Sequence, residues 1–547
     1  MDYKKMAAAF AAGGAVLAAG AAYTMKQKNQ KQPGVHFSSG GGRHVYLQDS
    51  SLSSLAVAIY LIRDYNFDGA NIHIFDGKQL PGGSCSYGVK GGALLSSDLW
   101  LHEKGYDHFW ELFRSIPSLN RKGASVKGEI VSFNRMHPIH SMLPILRQQE
   151  GAIALGKQER RLLERLVMSK ESRLEKVCIQ DWFGEDAAFF HTDFWIQCRS
   201  LFGLKECSAV RELRALLLER NEQLTHLATM EDWMQLPSHP YDALIAPLIS
   251  YLKGYGVQFH TGMEIEDVLF SDTYNLRARL LVIREGQQRH TIELNGDDLC
   301  VCVLGSVAKE AGFGSLDAPC ALPSKKADLW ERLASHRNEL NVAGALLHPQ
   351  DGMQGTVVWK FRKGILLEKL QEKSGNIAGS GGLMCFADSN WGLAINVPAQ
   401  PYGSDRDTMT IWGSVLYPQE LGDHVRKPFF QCSGREILRE VLLHLGLEAH
   451  LAAIEADCVQ AWPVLLPYAQ AAKLAENDPV LHSAKLAHTN FAVLSPYALK
   501  TACGWLEWEV LAARDAVRML MEEEADTPAR STLTRSAQAV RFVRRLP

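Results

Sequence analysis

The fold class follows from one stretch, HVYLQDSSLSSLAVAIYLIRDYNFDGANIHIFD, residues 44–76. Its apolar runs predict a short buried strand over 44–47, an amphipathic helix over 52–63 and a second strand over 71–75. A strand, a helix and a strand within about 30 residues form a βαβ unit, the usual start of a dinucleotide-binding domain. Strand and helix patterns are also mixed through the rest of the chain, so the fold class is α/β.

The composition is that of a folded, nearly neutral protein. The chain has 547 residues, 46% of them hydrophobic, with 58 Lys and Arg against 61 Asp and Glu and a net charge of −3. This balance excludes wholesale disorder and argues against a dedicated nucleic-acid binder. The 11 cysteines form no C-x-x-C pair, which favours free thiols in a reducing compartment over disulfides or a metal site.

The two ends of the chain lead us to expect contact with a membrane. Residues 7–25 are uncharged and rich in Ala and Gly, and they fit a membrane anchor, a cleaved signal or a helical arm. The last residues carry five arginines interleaved with Val, Phe and Leu, which fits a helix on an anionic membrane surface or a frayed tail. We favour membrane association at the cytoplasmic side, through one end or both.

Seven longer stretches are similar, in order, to those of one enzyme family. They are HVYLQDSSLSSLAVAIYLIRD, NIHIFD, PGGS, FWELFRSIPSL, DALIAPLISYLKGYGVQF, GNIAGSGGLMCFADSNWGLAINVPAQPY and SVLYPQELGDHVRKPFFQCSGREILREVLLHLG. Together they resemble the oleate hydratase family, also called the myosin-cross-reactive antigen family, from about His44 to Tyr497. The resemblance implies an FAD-containing, usually dimeric hydro-lyase. Such an enzyme adds water to the cis double bond of an unsaturated fatty acid such as oleate, giving a 10-hydroxy acid.

The resemblance also implies a domain organisation. We expect a Rossmann-like FAD-binding-type domain interleaved with a mixed α+β fatty-acid substrate domain, and a C-terminal helical region. The expected boundaries are 1–42 for a hydrophobic segment and linker, 43–135 and 236–320 for the two parts of the FAD-type domain, 136–235 for a mainly helical substrate region, 321–430 for the substrate-domain sheet, and 431–547 for the helical region with its basic tail. The implied partner is a second copy of the chain or an active paralogue.

The chain departs from the family where FAD binds. The family has glycines after the first strand, whereas this chain has Asp49, Ser50 and Ser51. Side chains there block the approach of the backbone to the diphosphate, and we expect Asp49 and Ser50 to cap the helix instead. A second flavin contact, over residues 495–499, is also replaced. We therefore predict weak FAD binding or none. The flavin features that persist are Asp76, Gly82, Gly83, Ser84, Gly305 and Ser306.

The catalytic loop departs as well. In the family a Glu within an Arg-Gly-Gly-Arg-Glu loop aims the water, and a Tyr supplies the proton. The residues aligned with that loop are Lys90, Gly91, Gly92 and Leu94. Leu94 stands at the Glu position and cannot accept a proton. Glu103 is a weak candidate for a substitute base, and an ordinary surface residue is the commoner case for such a Glu. The region where the Tyr is expected, 194–198, reads FWIQC.

A polar group near the end of one matched stretch is the candidate site for the fatty-acid carboxylate. Its members are Asn396, Gln400 and Tyr402, although hydrogen bonds at a strand end explain them equally well. Two functions therefore stay open. One is a fatty-acid hydratase that uses relocated groups. The other is a non-catalytic relative that binds lipid or membrane, or regulates an active paralogue. An unrelated flavin oxidoreductase is disfavoured by the lost glycines.

Overall fold

The βαβ unit predicted at the start of the chain is present. In the computed structural model β1 (Val45–Gln48) is followed by α1 (Leu52–Tyr65) and β2 (Ile72–Asp76). The structure describes residues 42–86, 100–139, 145–147, 151–271, 277–304, 310–321, 329–336, 349–362, 364–402, 407–470, 484–485, 490–495, 505–521 and 532–546.

The remaining elements follow in chain order. The strands are β3 (Leu101–His102), β4 (Ile145–Leu146), β5 (Trp233–Met234), β6 (Gln258–Thr261), β7 (Met263–Phe270), β8 (Ala278–Glu285), β9 (Gln288–Glu293), β10 (Leu299–Val303), β11 (Gly312–Phe313), β12 (Gln354–Arg362), β13 (Met384–Phe386), β14 (Leu393–Asn396), β15 (Thr408–Val415), β16 (Cys458–Leu466), β17 (Ala484–Lys485) and β18 (Phe491–Leu494). The α-helices are α2 (Asp107–Ser115), α3 (Val126–Met136), α4 (Lys157–Met168), α5 (Ile179–Phe183), α6 (Asp193–Phe202), α7 (Val210–Glu219), α8 (Asn221–Thr225), α9 (Ala246–Gly254), α10 (Leu329–His336), α11 (Pro349–Gly352), α12 (Ile365–Ser374), α13 (Gly434–His444), α14 (Leu451–Asp457), α15 (Trp505–Leu520) and α16 (Thr532–Arg545).

The first sheet carries the βαβ unit and has the order β17-β18-β10-β1-β2-β6. The strands from β18 to β6 run parallel, and β17 is antiparallel to β18. Val45 and Leu47 of β1 share a buried cluster with α1, while Tyr46 lies on the other face, as the alternation of a strand requires. α15 packs along α1. The turn after β1 therefore lies at the carboxyl edge of a parallel sheet, where Rossmann-type folds bind their ligands.

The second sheet is mostly antiparallel and has the order β11-β16-β12-β15-β14-β13-β4. One face packs on α12 and α13, through residues such as Trp359 and Ile411. The other face packs on the helices between residues 157 and 230, through residues such as Val358 and Trp412. We call those helices the helical layer. The sheet is buried on both faces, which explains why its strands read as nearly continuous apolar runs.

The C-terminal region, residues 431–547, contains more sheet than we expected. It contributes β16 to the second sheet and β18 to the first. β16 is a nine-residue strand that pairs with β12, and β18 is the short apolar run FAVL. Periodicity does not separate a short, fully buried strand from a piece of buried helix, so the sequence favoured helix here.

Our prediction of membrane association at the cytoplasmic side is wrong. None of the helices that the structure describes combines the length and the hydrophobicity that a membrane span requires. The basic tail forms α16, and its apolar residues face the protein: Ala539 and Val543 are fully buried against the helical layer. The interleaved arginines therefore reflect a helix with one packed face. The N-terminal run, 7–25, lies outside the described residues.

Candidate functional site

The turn after β1 brings acidic and hydroxyl side chains to the N-terminus of α1. Asp49 has a left-handed backbone, with φ of 62°, a conformation in which Asp and Asn are common among residues other than Gly. Its Oδ1 accepts hydrogen bonds from the N–H of Ser51 at 2.8 Å and from the hydroxyl of Ser54 at 3.1 Å. Ser51 is the N-cap, and its hydroxyl accepts from the N–H of Ser54 at 3.4 Å. The helix is thus capped by its own turn.

Ser50 does not cap the helix, contrary to our expectation. Its hydroxyl donates to the carboxylate of Asp76 at the end of β2 and accepts from the N–H of Gly82 at 2.5 Å. Gly83 also lies against the turn, since a Cβ added to it would be 2.6 Å from the Cα of Ser51. The structure therefore gathers several predicted cofactor residues around one turn. They are Asp49, Ser50, Ser51, Asp76, Gly82, Gly83 and the neighbouring, buried Ser84.

A carboxylate from the far end of the chain completes this cluster. Glu509 of α15 accepts a hydrogen bond from the N–H of Ser53, in the first turn of α1, at 3.0 Å. Glu507, two residues earlier, does the same for α2, accepting from the N–H of Phe109 at 2.8 Å and from the ring of His108 at 2.7 Å. One helix thus caps the N-termini of two others. The sequence analysis missed this role. The signal was the segment WLEWEVL, in which two acids lie in an otherwise apolar run.

Burial controls the charge of the cluster. It raises the pKa of Asp49 to about 6 and that of Glu509 to about 8, with the charge of Asp49 adding to the rise for Glu509. Burial also lowers the pKa of Lys78, although the carboxylates of Asp76 and Asp49 act in the opposite direction. The ammonium group of Lys78 donates to the carbonyl of Gly83. The N-terminus of α1 is therefore occupied by acidic groups of the protein itself.

These residues do not fit the diphosphate of FAD. In Rossmann-type folds the diphosphate binds the free N–H groups at the start of this helix. Here the N–H groups of Ser51, Ser53 and Ser54 are already bonded to carboxylate or hydroxyl oxygens. Two like charges 4 Å apart repel by about 4 kcal/mol at an effective dielectric constant near 20. A phosphate would have to displace Glu509 and approach Asp49.

The three predicted carboxylate-binding residues have different surroundings. Asn396, at the end of β14, is 1% exposed, and neither atom of its amide has a hydrogen-bond partner among the described residues. It lies on the strand face that packs on the helical layer, as Ala394 does. Gln400 bonds the backbone of Pro398 and Thr410. Its amide is therefore engaged at a strand end.

Tyr402 and Gln400 both have acidic neighbours. Burial, reinforced by the charge of Asp242, raises the pKa of Tyr402 well above its ordinary value. Gln400 lines a groove of about 830 Å³ together with Glu368 and Glu372. The charges of Asp242 and Glu368 disfavour a carboxylate ligand at these two residues, whereas Glu372 is paired with Lys369. Of the three, Asn396 is the one with a free, buried polar group.

The remaining predicted residues contribute less. Glu103 is exposed to solvent, whereas the hydration of an alkene needs a base in a site from which bulk water is excluded. Gly305 and Ser306 lie outside the described residues, as do the loop residues Lys90, Gly91, Gly92 and Leu94.

The described residues include one group with metal-ligand atoms close together, Asp423, Glu440 and His444. We predicted no metal site. Glu440 accepts hydrogen bonds from the N–H groups of Asp423, His424 and Val425, and His444 lies 3.2 Å from the carboxylate of Asp423. Hydrogen bonds thus account for the cluster, which joins α13 to the loop before it.

Comparison with known proteins identifies the family. The profile of the MCRA family matches residues 42–517. The chain belongs to the MCRA family. The resemblance seen in the sequence motifs is therefore confirmed. Within the family, the chain is 26% identical to the oleate hydratase of Streptococcus pyogenes serotype M49 (strain NZ131) over 460 residues, which cover 78% of this chain and 75% of that protein. It is 25% identical to the linoleate hydratase of Lactiplantibacillus plantarum, over 82% of this chain and 89% of that protein.

Solved structures of amine oxidases share the fold of this MCRA-family chain. Cyclohexylamine oxidase from Brevibacterium oxydans IH-35A matches with a TM-score of 0.52 and 12% identity, over 88% of this chain and 99% of that one. Putrescine oxidase bound to putrescine matches with a TM-score of 0.52 and 9% identity, over the same shares. At such low identity the likeness concerns the fold alone. The mixed α/β, Rossmann-type fold is confirmed, while the interleaved fatty-acid domain stays a prediction.

Proposed function

We propose that this chain binds an unsaturated long-chain fatty acid without hydrating it, because it does not hold FAD. The choice of ligand rests on the family, since two relatives are named oleate hydratase and linoleate hydratase. The loss of chemistry rests on the residues of this chain. Association with a second copy or with an active paralogue stays a prediction from the resemblance.

The observation that carries the proposal is the hydrogen bond from the N–H of Ser53 to Glu509. It places a carboxylate of the protein where a flavin diphosphate would need to bind. Asp49 adds a second carboxylate at the same helix end, held by the N–H of Ser51 and the hydroxyl of Ser54. Weakened FAD binding follows from the occupied N–H groups and from the negative charge of Asp49.

The residues that would move protons support the same proposal. An isolated double bond is a weak base, so hydration needs a positioned acid and a base to deprotonate water. Leu94 stands where the resemblance places the base. Glu103 is exposed, and no tyrosine occurs in the segment 194–198. We therefore expect no substitute for the acid and base from these positions.

The test combines cofactor, product and ligand measurements on the full-length protein. We expect the purified protein to be colourless, to bind no FAD on titration, and to give no hydroxy acid from oleate with FAD added. Calorimetry with oleate should nevertheless detect binding. Stoichiometric FAD after gel filtration, or a stereopure hydroxy acid absent from a heat-treated control, would overturn the proposal. Absence of oleate binding would contradict the proposal that the chain binds a fatty acid.

A further inference from the structure

We propose that the fatty acid binds in a cavity beneath α16, with its carboxylate on Arg541 and Arg545. This inference rests on the proposed function, because it assigns the site of the ligand proposed above. It places the head group away from Asn396, Gln400 and Tyr402, none of which lines the cavity.

The cavity lies between α16 and the helical layer and has a volume of about 950 Å³. That volume lies within the range of small-molecule sites, about 300–1,000 Å³. Its walls come from β4, the loop 151–154, α6, the end of α8, and α16. The large apolar residues of the wall are Ile145, Leu146, Ile153, Phe194, Leu224, Leu227, Phe542 and Leu546. Such a wall suits an alkyl chain, which gains free energy by leaving water.

The charge at the rim suits a carboxylate. Arg541 and Arg545 are one helical turn apart on α16, both line the cavity, and both are exposed. Neither has a hydrogen bond or ion pair with another described residue. Like charges at this spacing destabilise a helix. An anion between them removes that repulsion, and guanidinium groups bind carboxylates through paired hydrogen bonds.

Two other arginines near the cavity, Arg147 and Arg544, form ion pairs. Arg147 lines the cavity but forms an ion pair with Asp193, which also lines it. Arg544, on α16 but outside the lining, forms an ion pair with Glu164 at 3.0 Å. The excess positive charge at the cavity therefore belongs to Arg541 and Arg545. Arg544 is a matched control, since it has the same chemistry on the same helix.

The experiment compares two ligands that differ in their head group, oleate and oleyl alcohol. Affinities are measured by calorimetry on the full chain and on the double variant Arg541→Gln with Arg545→Gln. We expect the double variant to bind oleate at least tenfold more weakly and oleyl alcohol with unchanged affinity. Arg544→Gln should change neither affinity. Thermal melts establish that each variant is folded, which exposed substitutions should not prevent.

A second variant tests the apolar wall. Ala228 lines the cavity near Leu227, so Ala228→Phe reduces the space and should weaken oleate and oleyl alcohol alike.

The outcomes separate this inference from the proposed function. If the parent chain binds oleate and the double arginine variant binds it as tightly, the inference is wrong and the proposed function stands. Loss of oleate binding in Asn396→Ala, with none in the double variant, would place the head group at Asn396 instead. If the parent chain binds no oleate, both fail together.

Discussion

The N-terminus of α1 and the cavity beneath α16 are opposite in character. The first is filled by carboxylates and hydroxyls of the protein, and its helix N–H groups are bonded. The second is an open space of about 950 Å³ with apolar walls and two arginines that lack a described partner. Under the proposed function, the family scaffold keeps a place for an anionic lipid while the place of its cofactor is closed. Few substitutions are needed to close a cofactor site in this way, because one carboxylate at the N-terminus of a helix changes which anions that N-terminus binds.

Reopening the first region should have the largest effect. The triple variant Asp49→Gly, Ser51→Gly, Glu509→Ala removes two carboxylates and frees N–H groups of α1. We expect FAD affinity to rise by a hundredfold or more, on the order of 3 kcal/mol. Quenching of flavin fluorescence on titration measures the change.

Glu507 supplies the control for the triple variant. It is also a buried carboxylate on α15, but it bonds α2. A second triple variant carries Glu507→Ala in place of Glu509→Ala. It should bind FAD much more weakly than the first triple variant. Equal gains from the two variants would contradict the role assigned to Glu509.

The stability of the first region should fall as the pH rises. Burial raises the pKa of Glu509 to about 8 in the folded state, whereas an unfolded Glu has a pKa near 4.3. The folded state therefore binds the proton more tightly, and stability is lost as the pH rises from about 4.3 to about 8. In Glu509→Gln this loss should shrink by about 2–4 kcal/mol. Denaturant unfolding at pH 5 and pH 9 measures it; an unchanged difference would show that Glu509 is not the titrating group.

Acid should lower the stability of the protein through histidines on the other face of the first sheet, the face that does not pack on α1. The His73 ring stacks against His44 and His260 at centroid distances of 5.3 and 5.4 Å. Burial lowers the pKa of His73 and of His260 to about 4. The unfolded chain then binds protons that the folded chain does not, so stability is lost as the pH falls from about 6.5 to about 4.

The variant His73→Phe keeps a stacked ring and removes one titrating group. Its loss of stability between pH 7 and pH 5 should be smaller than that of the parent by about 2 kcal/mol. Denaturant midpoints at the two pH values test this, and an equal loss in both proteins would exclude His73 as a source of acid sensitivity.

Loosening the second region should have the smallest effect. Val543 of α16 is fully buried against the helical layer, so Val543→Ala should cost about 1–2 kcal/mol of stability. Oleate affinity should fall severalfold as the cavity wall loosens. Ala537→Gln, at an exposed position of α16 outside the cavity lining, is the control and should change neither quantity, because Gln is a good helix former. Unchanged stability in Val543→Ala would contradict the packing of α16.

The sequence predicts local structure well and long-range contacts poorly. The bounds of β1, α1 and β2 agree with the predicted ones to within two residues, because amphipathic spacing and the turn residues act locally. The proposed closing of the nucleotide site depends on a hydrogen bond between Ser53 and Glu509, which lie 456 residues apart. No periodicity shows such a contact. The role of α16 was misjudged for a related reason, since an amphipathic pattern does not say whether its apolar face meets lipid or protein.

The proposed loss of FAD depends on Glu509 and Asp49 occupying the place of the flavin diphosphate, and a crystal structure of the full-length protein soaked with FAD is the sharpest test. We predict no phosphate at the N-terminus of α1, with the carboxylate of Glu509 on the N–H of Ser53 and that of Asp49 on the N–H of Ser51. A diphosphate bound at full occupancy to those N–H groups, with Glu509 turned away, would show that the site is open to FAD and that the proposal is wrong.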